Sequence, residues 1–252
     1  MRKLHRMVID MSMEAQQFVS RCAHWVSQKV EDAHTKGIVV GMSGGVDSSV
    51  CAVLCKKAVG KEVLALIMPI YSSHTDVEDA FTVAHTFGID TKVVQLEKPY
   101  MAMLDAIGTA YSERSVECAN LKARLRMCTL YYHANSLEKL VAGTSNRSEL
   151  LMGYYTKYGD GAADILPLAS LTKGQVRQLA AHLNIPEHII HKAPSAGLWR
   201  GQTDEDEMGI TYDEIDAFIA GEEVDKNVAT QIREMIENSK HKRELAPVFA
   251  FE

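Results

Sequence analysis

The sequence predicts an α/β fold built on a mostly parallel, doubly wound sheet. Two observations carry that expectation. Short β-branched or aliphatic runs alternate with segments of helical period, and the first of these runs empties directly into a glycine-rich turn that opens a helix. Strands separated by helices of this length are joined by crossovers, which are right-handed and pair their strands in parallel.

Each element has its own signal. From Ile9 to Asp32, residues Met11, Ala15, Phe18, Val19, Cys22 and Val26 fall near helical spacing, which predicts an amphipathic helix ahead of the core fold. GIVVG from Gly37 is a strand, and Val46 to Val59 a helix with Val50, Val53 and Leu54 on one face. Glu62 to Met68 (EVLALIM) is a buried strand closed by Pro69, and Asp76 to Phe87 a helix ended by Gly88. Thr91 to Leu96 is a third strand, Pro99 to Thr109 and Val116 to Ser136 are helices, and Leu140 to Gly143 is a fourth strand.

The last third changes character. Tyr154 to Leu168 mixes glycine, aspartate and aromatic residues without period, and Ser195 to Met208 is polar and equally aperiodic. Lys173 to Asn184, Pro186 to His191, Thr211 to Ala220 and Asp225 to Ser239 are helical. Long irregular segments inside a compact domain are commonly functional. No linker, repeat or low-complexity tract divides the chain, so residues 1–252 read as a single domain.

Composition narrows the class. A formal net charge of -6 supplies no global basic footprint for nucleic acid. No apolar run approaches the roughly 20 residues that cross a bilayer, and the charged N-terminus lacks the apolar core of a signal peptide. Cys22, Cys51, Cys55, Cys118 and Cys128 form no C-x-x-C pair, so reduced thiols in a cytoplasmic protein are expected.

The chemistry begins at SGGVDSS, Ser43 to Ser49. Its two glycines let the backbone turn tightly and approach an anion. Helix N-terminal amides then point at that anion, and the serines add hydroxyl donors. The loop lacks both the Walker A lysine and the G-x-G-x-x-G spacing. Asp47 would repel a bare phosphate, but it fits a divalent cation that bridges carboxylate and phosphates. The plainer alternative is a capped helix start, with Ser43 or Asp47 as the cap. The strand before, the helix after and the Asp-Ser-Ser that follows weigh against it.

This loop resembles that of the ATP pyrophosphatases, the PP-loop superfamily, which cleave ATP between its α- and β-phosphates. Four further segments resemble the NAD synthetases within it, in the same order. They are NLKARLRM (Asn120 to Met127), GTSNRSE (Gly143 to Glu149), GYYTKYGDGAADILPL (Gly153 to Leu168) and KAPSAGLW with QTDEDEMGITYDEID (Lys192 to Asp216). HKR at His241 to Arg243 closes the series. The similarity covers nearly the whole chain from Gly37 onward, and YTKYGDGAAD is its most specific part.

The resemblance implies a Rossmann-like sheet of the adenine nucleotide alpha hydrolase kind. It implies ATP-dependent amidation of nicotinic acid adenine dinucleotide (deamido-NAD) by ammonia, through an adenylated carboxylate, giving NAD, AMP and pyrophosphate as the final step of NAD biosynthesis. Members that use glutamine carry an added amidase domain for which this chain has no room, so free ammonia is expected. A separate glutaminase subunit stays open. The resemblance also implies a homodimer, to which the N-terminal helix contributes if it is not packed on its own subunit.

Residue by residue, the resemblance gives ATP to Gly41, Met42, Ser43, Gly44, Gly45, Val46, Asp47, Ser48, Thr144, Lys173 and Ser195. It gives the dinucleotide to Arg124, Lys157, Asp164, His241 and Lys242, and Mg²⁺ to Asp47 and Glu149. It also implies that Ser43 and Lys173 stabilise the transition state, with no nucleophile or general base assigned.

These assignments have physical readings beside them. Glu149 follows the fourth strand and, with Asp47, emerges at the carboxyl edge of the sheet, where ligands bind; it equally suits a helix's first turn. Arg124 and Arg126 lie two apart and face different ways, and Arg126 receives no role. Thr144 bonds a nucleotide or caps the next helix. Lys157, Asp160 and Asp164 sit among Tyr154, Tyr155 and Tyr158, a mixture that suits rings and phosphates. Lys173 opens a helix, against the dipole, which a facing polyphosphate explains. Two departures stand out: Ser145-Asn146-Arg147-Ser148 replaces the Asp-His-Ala-Ala of many members, and Ser195 and Gly197 replace Thr and Asp. A tRNA-modifying pyrophosphatase would want basic patches and more paired cysteines, and a mere ATP sensor would not need Asp47, Glu149 and the tyrosine-rich segment together.

Overall fold

A computed structural model describes residues 2–112, 115–195 and 201–250, with backbone only for residues 2–13. Its sheet is wholly parallel and runs β3-β2-β1-β4, from β1 (Ile38–Gly41), β2 (Val63–Ile67), β3 (Asp90–Val93) and β4 (Leu140–Ala142). Ile38 stands opposite Val63 on one side and Leu140 on the other. Ile38, Val39 and Val40 are fully buried because helices cover both faces, which is why this strand reads as an unbroken apolar run rather than an alternating one.

One face is covered by α1 (Arg2–Asp32), α2 (Val46–Val59), α3 (His74–Phe87), α7 (Lys173–His182) and α8 (Glu187–Ile190), whose Val26, Val50, Leu54, Ala80, Val176 and Ile189 share a core with Ile38 and Val40. The other is covered by α4 (Glu97–Ile107) and α5 (Val116–Leu137), which bring Tyr100, Leu104 and Ala134 against Val39 and Leu66. A smaller third core gathers α6 (Arg147–Met152), α9 (Asp204–Met208), α10 (Tyr212–Ala220) and α11 (Lys226–Asn238) around Met152, Tyr212, Ile215 and Ile232. A short α12 (Lys240–Arg243) follows.

Three differences from the sequence reading have physical causes. The third strand stops at Val93 rather than Leu96, because β2 ends at Ile67 and Pro69 follows it. Leu96 becomes the cap of α4, which starts ahead of Pro99; a proline in the first turn costs no helical hydrogen bond. Helices α6, α9 and α12 are too short to show a period.

The described part of α1 buries Val19, Cys22, Val26 and Val30 in its own subunit's core, so that stretch of its apolar stripe is used within the chain. All five cysteines are free, and among the described residues no helix is long and apolar enough to cross a membrane.

The strand order positions the site. From β1 the chain winds outward to β2 and β3, then returns to place β4 on β1's other side. The connections leaving the carboxyl ends of β1 and β4 therefore diverge and open a crevice between them.

Candidate active site

That crevice is a cavity of about 460 Å³ at the sheet's carboxyl edge. Its floor is the turn between β1 and α2. Gly44 sits at φ +83°, and a Cβ there would lie 2.1 Å from the Asp76 carbonyl oxygen. Both the left-handed backbone and the close approach of α3 require glycine. The turn is braced internally. The Ser43 amide donates to Ser48 Oγ at 3.2 Å, while the Ser48 and Ser49 hydroxyls donate to the Gly45 carbonyl at 3.0 and 2.8 Å.

Two of the serines expected to meet a ligand thus spend hydroxyl protons on the loop itself. What the loop offers is backbone: α2 begins after Gly45 with no side-chain cap, whereas α3, α5, α6 and α7 all have one. The alternative of Ser43 or Asp47 as the cap is therefore not what forms. Uncapped first-turn amides at a cavity suit an anion.

Opposite them stands a buried charge cluster. Lys173 Nζ lies 2.5 Å from Asp47 Oδ2 and 3.2 Å from Glu149 Oε1, with the lysine side chain only 4% exposed. Asn146 orients both acids. Its Nδ2 donates to Asp47 Oδ1 at 2.9 Å, its Oδ1 accepts from the Glu149 amide at 3.0 Å, and its own amide donates to Glu149 Oε2 at 3.2 Å. The last two bonds form a capping box. Lys173 is held through its backbone. Its amide donates to Ser148 Oγ at 3.1 Å, the Ser148 hydroxyl donates to Asp216 Oδ1 at 2.6 Å, and Asp216 Oδ2 accepts from Gly174 N–H at 2.7 Å. The Tyr212 ring lies 4.9 Å from Lys173 Nζ, and the Tyr212 hydroxyl donates to buried Asp204 at 3.0 Å.

Electrostatics follow from this crowding. Burial and the neighbouring Asp47 charge push Glu149 up to about 8, against the lowering pull of Lys173. Burial opposes charge on Lys173 as well, but Asp47 and Glu149 outweigh it and hold its pKa above the usual lysine value. Among the described residues no group of three or more His, Cys, Asp or Glu could hold a metal alone. Two hard oxygen donors beside uncapped helix amides are nonetheless a set that would suit Mg²⁺ if phosphates supplied its other ligands.

The cavity brings together Gly41, Met42, Ser43, Gly45, Val46, Asp47, Ser48, Thr144, Glu149, Lys173, Ser195 and Lys242, while Gly44 shapes the turn. Lys242 Nζ donates to the Gly153 and Tyr155 carbonyls at 2.7 and 2.8 Å. Four residues assigned to the dinucleotide lie outside the cavity wall. Arg124 donates to the Lys157 carbonyl at 3.3 Å, and Lys157 Nζ bonds the His241 carbonyl. Asp164 accepts from the Val141 amide at 2.7 Å and from the Tyr131 hydroxyl at 3.2 Å. Gly197 lies outside the described residues. The sequence reading missed Arg126, Asn146, Asp204 and Tyr212, of which only Asn146 carried a signal, the N-x-x-E spacing of a capping box.

Comparisons with known proteins place nearly the whole chain. The family model described as NAD synthase matches residues 18–246. The NH(3)-dependent NAD(+) synthetase of Carboxydothermus hydrogenoformans is 45% identical over 230 residues, 90% of this chain and 95% of that one. Among solved structures, NMN synthetase from Francisella tularensis matches with a TM-score of 0.90 at 41% identity, covering 94% of this chain and 99% of the other. The NH3-dependent NAD synthetase from Campylobacter jejuni, in complex with nitrate, matches with a TM-score of 0.78 at 30% identity, over 94% and 99% of the two chains.

Proposed function

The chain belongs to the NAD synthase family, and on that premise we propose that it amidates deamido-NAD with ammonia, consuming ATP and releasing AMP and pyrophosphate. The observation that carries this reading is the uncapped loop facing the Lys173–Asp47–Glu149 cluster across one cavity. Ammonia does not displace oxide from a carboxylate at neutral pH, so the carboxylate must first gain a leaving group. The nicotinate oxygen attacks the α-phosphorus of ATP, pyrophosphate departs, and ammonia then displaces AMP from the mixed anhydride.

The protein's part is to hold and neutralise. The loop amides and Lys173 face the departing pyrophosphate, and Asn146 keeps both carboxylates aimed into the cavity. Mg²⁺ held by Asp47 and Glu149 would supply charge neutralisation across the phosphates. In this reading residues 41–48, Thr144, Lys173 and Ser195 serve ATP. Lys242, with Arg124, Lys157, Asp164 and His241, serves the dinucleotide, whose length carries it past the cavity wall. A homodimer of single-domain subunits and a cytoplasmic setting, with ammonia free or delivered by a partner glutaminase, belong to the same proposal.

Incubation with Mg-ATP, ammonium and deamido-NAD tests it: NAD, AMP and pyrophosphate should form in equal amounts. ATP binding without turnover would instead favour a nucleotide-binding module. A second reading is favoured by one observation, the higher TM-score to the NMN synthetase from Francisella tularensis. It takes the mononucleotide acid as substrate in the same reaction, and competing the two acids in one assay decides between them.

A further inference from the structure

We propose that Arg126 grips a phosphate of a bound nucleotide from the α5 side of the cavity. The proposal rests on the nucleotide reading of that cavity and assigns a residue for which the sequence offered no role.

Four lysine and arginine side chains line the cavity among the described residues: Arg126, Lys173, Lys192 and Lys242. Three are already committed. Lys173 lies between Asp47 and Glu149, Lys192 lies between Asp76 and Asp79, and Lys242 donates to two carbonyls over the Tyr155 ring. Arg126 differs. Its Nε donates to the Met68 carbonyl at 3.1 Å and one Nη to Ser72 Oγ at 3.4 Å, and both partners are neutral. A guanidinium carries five N–H donors and stays protonated in proteins. Most of this fork is therefore unspent, and the residue forms no salt bridge with a described carboxylate.

A part-buried cation with no carboxylate in ion-pair contact is costly to keep. Burial does pull the Arg126 pKa down, and the more distant Asp160 and Glu97 only partly offset it. The cost is removed when an anion enters the cavity. Phosphate oxygens match a guanidinium fork, as carboxylate oxygens also do; phosphate is the group that every nucleotide of the proposed reaction carries, and the bonds to Met68 and Ser72 hold one edge of the fork fixed beforehand.

Position supports the same conclusion. Met68 directly follows β2, beside β1, and α5 packs on the face of the sheet opposite α2. The loop amides and Arg126 thus approach the sheet edge from its two sides, as suits ligands that carry anionic groups on both. Arg124, two residues away, is exposed and outside the wall. The structure therefore gives the cavity to the second arginine of the R-x-R pair.

The phosphate could belong to ATP or to the nucleotide acid, and calorimetry separates them. Wild type, Arg126→Met and Arg126→Lys are titrated separately with a non-hydrolysable ATP analogue, the mononucleotide acid and the dinucleotide acid, after thermal melts establish that each variant folds. Loss of a charged hydrogen-bonding fork should weaken binding about 10- to 100-fold for Arg126→Met. Arg126→Lys, which keeps the charge without the fork, should fall between. Weakening confined to the ATP analogue assigns the phosphate to ATP, and weakening confined to the acids assigns it to them. Should Arg126→Met prove unfolded, Arg126→Lys alone must still weaken one ligand at least threefold. Folded variants that bind all three ligands as wild type does would overturn the proposal and leave the wider reading intact. Failure of wild type to bind any of them would remove both.

Discussion

Two lysines on the cavity wall are each held by a pair of carboxylates, yet their surroundings differ. The Lys173 side chain is 4% exposed, between Asp47 and Glu149 at 15% and 16%. Lys192 is 29% exposed, between Asp76 at 28% and Asp79 at 7%, and His188 adds a second partner to Asp79 at 3.1 Å. The two sets have the same count of charges. The more buried one is poorly screened by water, so burial and the neighbouring Asp47 charge push the Glu149 carboxyl up to about 8. In the proposed reaction a cation entering beside it would favour the ionised carboxyl. The Lys192 set is partly solvated and ties α8 and the following loop to α3, whose Asp76 carbonyl backs Gly44. Resemblance between charge clusters is therefore a poor guide to role, whereas burial beside uncapped amides is a better one.

Substitutions break the comparison in order of effect. Lys173→Met should lower the rate of amide synthesis by about 10²- to 10³-fold, the usual cost of removing one transition-state donor. It should also destabilise the ligand-free fold by about 3 kcal/mol, because two buried carboxylates lose their shared cation; steady-state kinetics and denaturant melts read both. Gly44→Ala comes next. It forces a left-handed alanine against the Asp76 carbonyl, and we expect ATP affinity to fall by about 10-fold or more with stability lower by about 1–3 kcal/mol.

The pH profile sharpens the comparison at Glu149. With its carboxyl near 8 in the free enzyme, a proton competes with the metal below that value, so Mg-ATP affinity should rise from pH 7 to pH 9. Glu149→Gln should flatten the rise. The sign for stability is opposite. The folded-state value exceeds the ordinary 4.5, so the unfolded chain ionises first, and the ligand-free melting temperature should fall as pH climbs from about 5 towards 8. Lys192→Gln is the smallest change. At a partly solvated ion pair it should cost about 1 kcal/mol or less and change kcat less than threefold.

The strands and long helices were legible because they obey strong periodicities. The turn between β1 and α2 was legible because two glycines stand between a β-branched run and a helix. Asp47, Glu149 and Lys173 were placed together by resemblance and meet in space. What stayed hidden depends on tertiary approach. Asn146 bonds both acids only because β1 and β4 are neighbours. Tyr212 and Asp204 reach Lys173 from helices too distant or too short for any pattern to connect. Arg126 differs from Arg124 only by helical phase, and the weak periodicity of α5 did not say which faced inward. What the Ser48 and Ser49 hydroxyls bond inside the turn is likewise visible only once the turn is formed.

The account stands on Asp47 and Glu149 acting as metal ligands beside a phosphate-gripping turn. The direct measurement is ATP affinity with and without Mg²⁺ for wild type and Asp47→Ala, followed by a single-turnover assay for AMP and pyrophosphate. We expect Mg²⁺ to tighten ATP binding in wild type only, and product formation to vanish in the variant. An Asp47→Ala enzyme that keeps both the metal effect and the turnover would contradict the account.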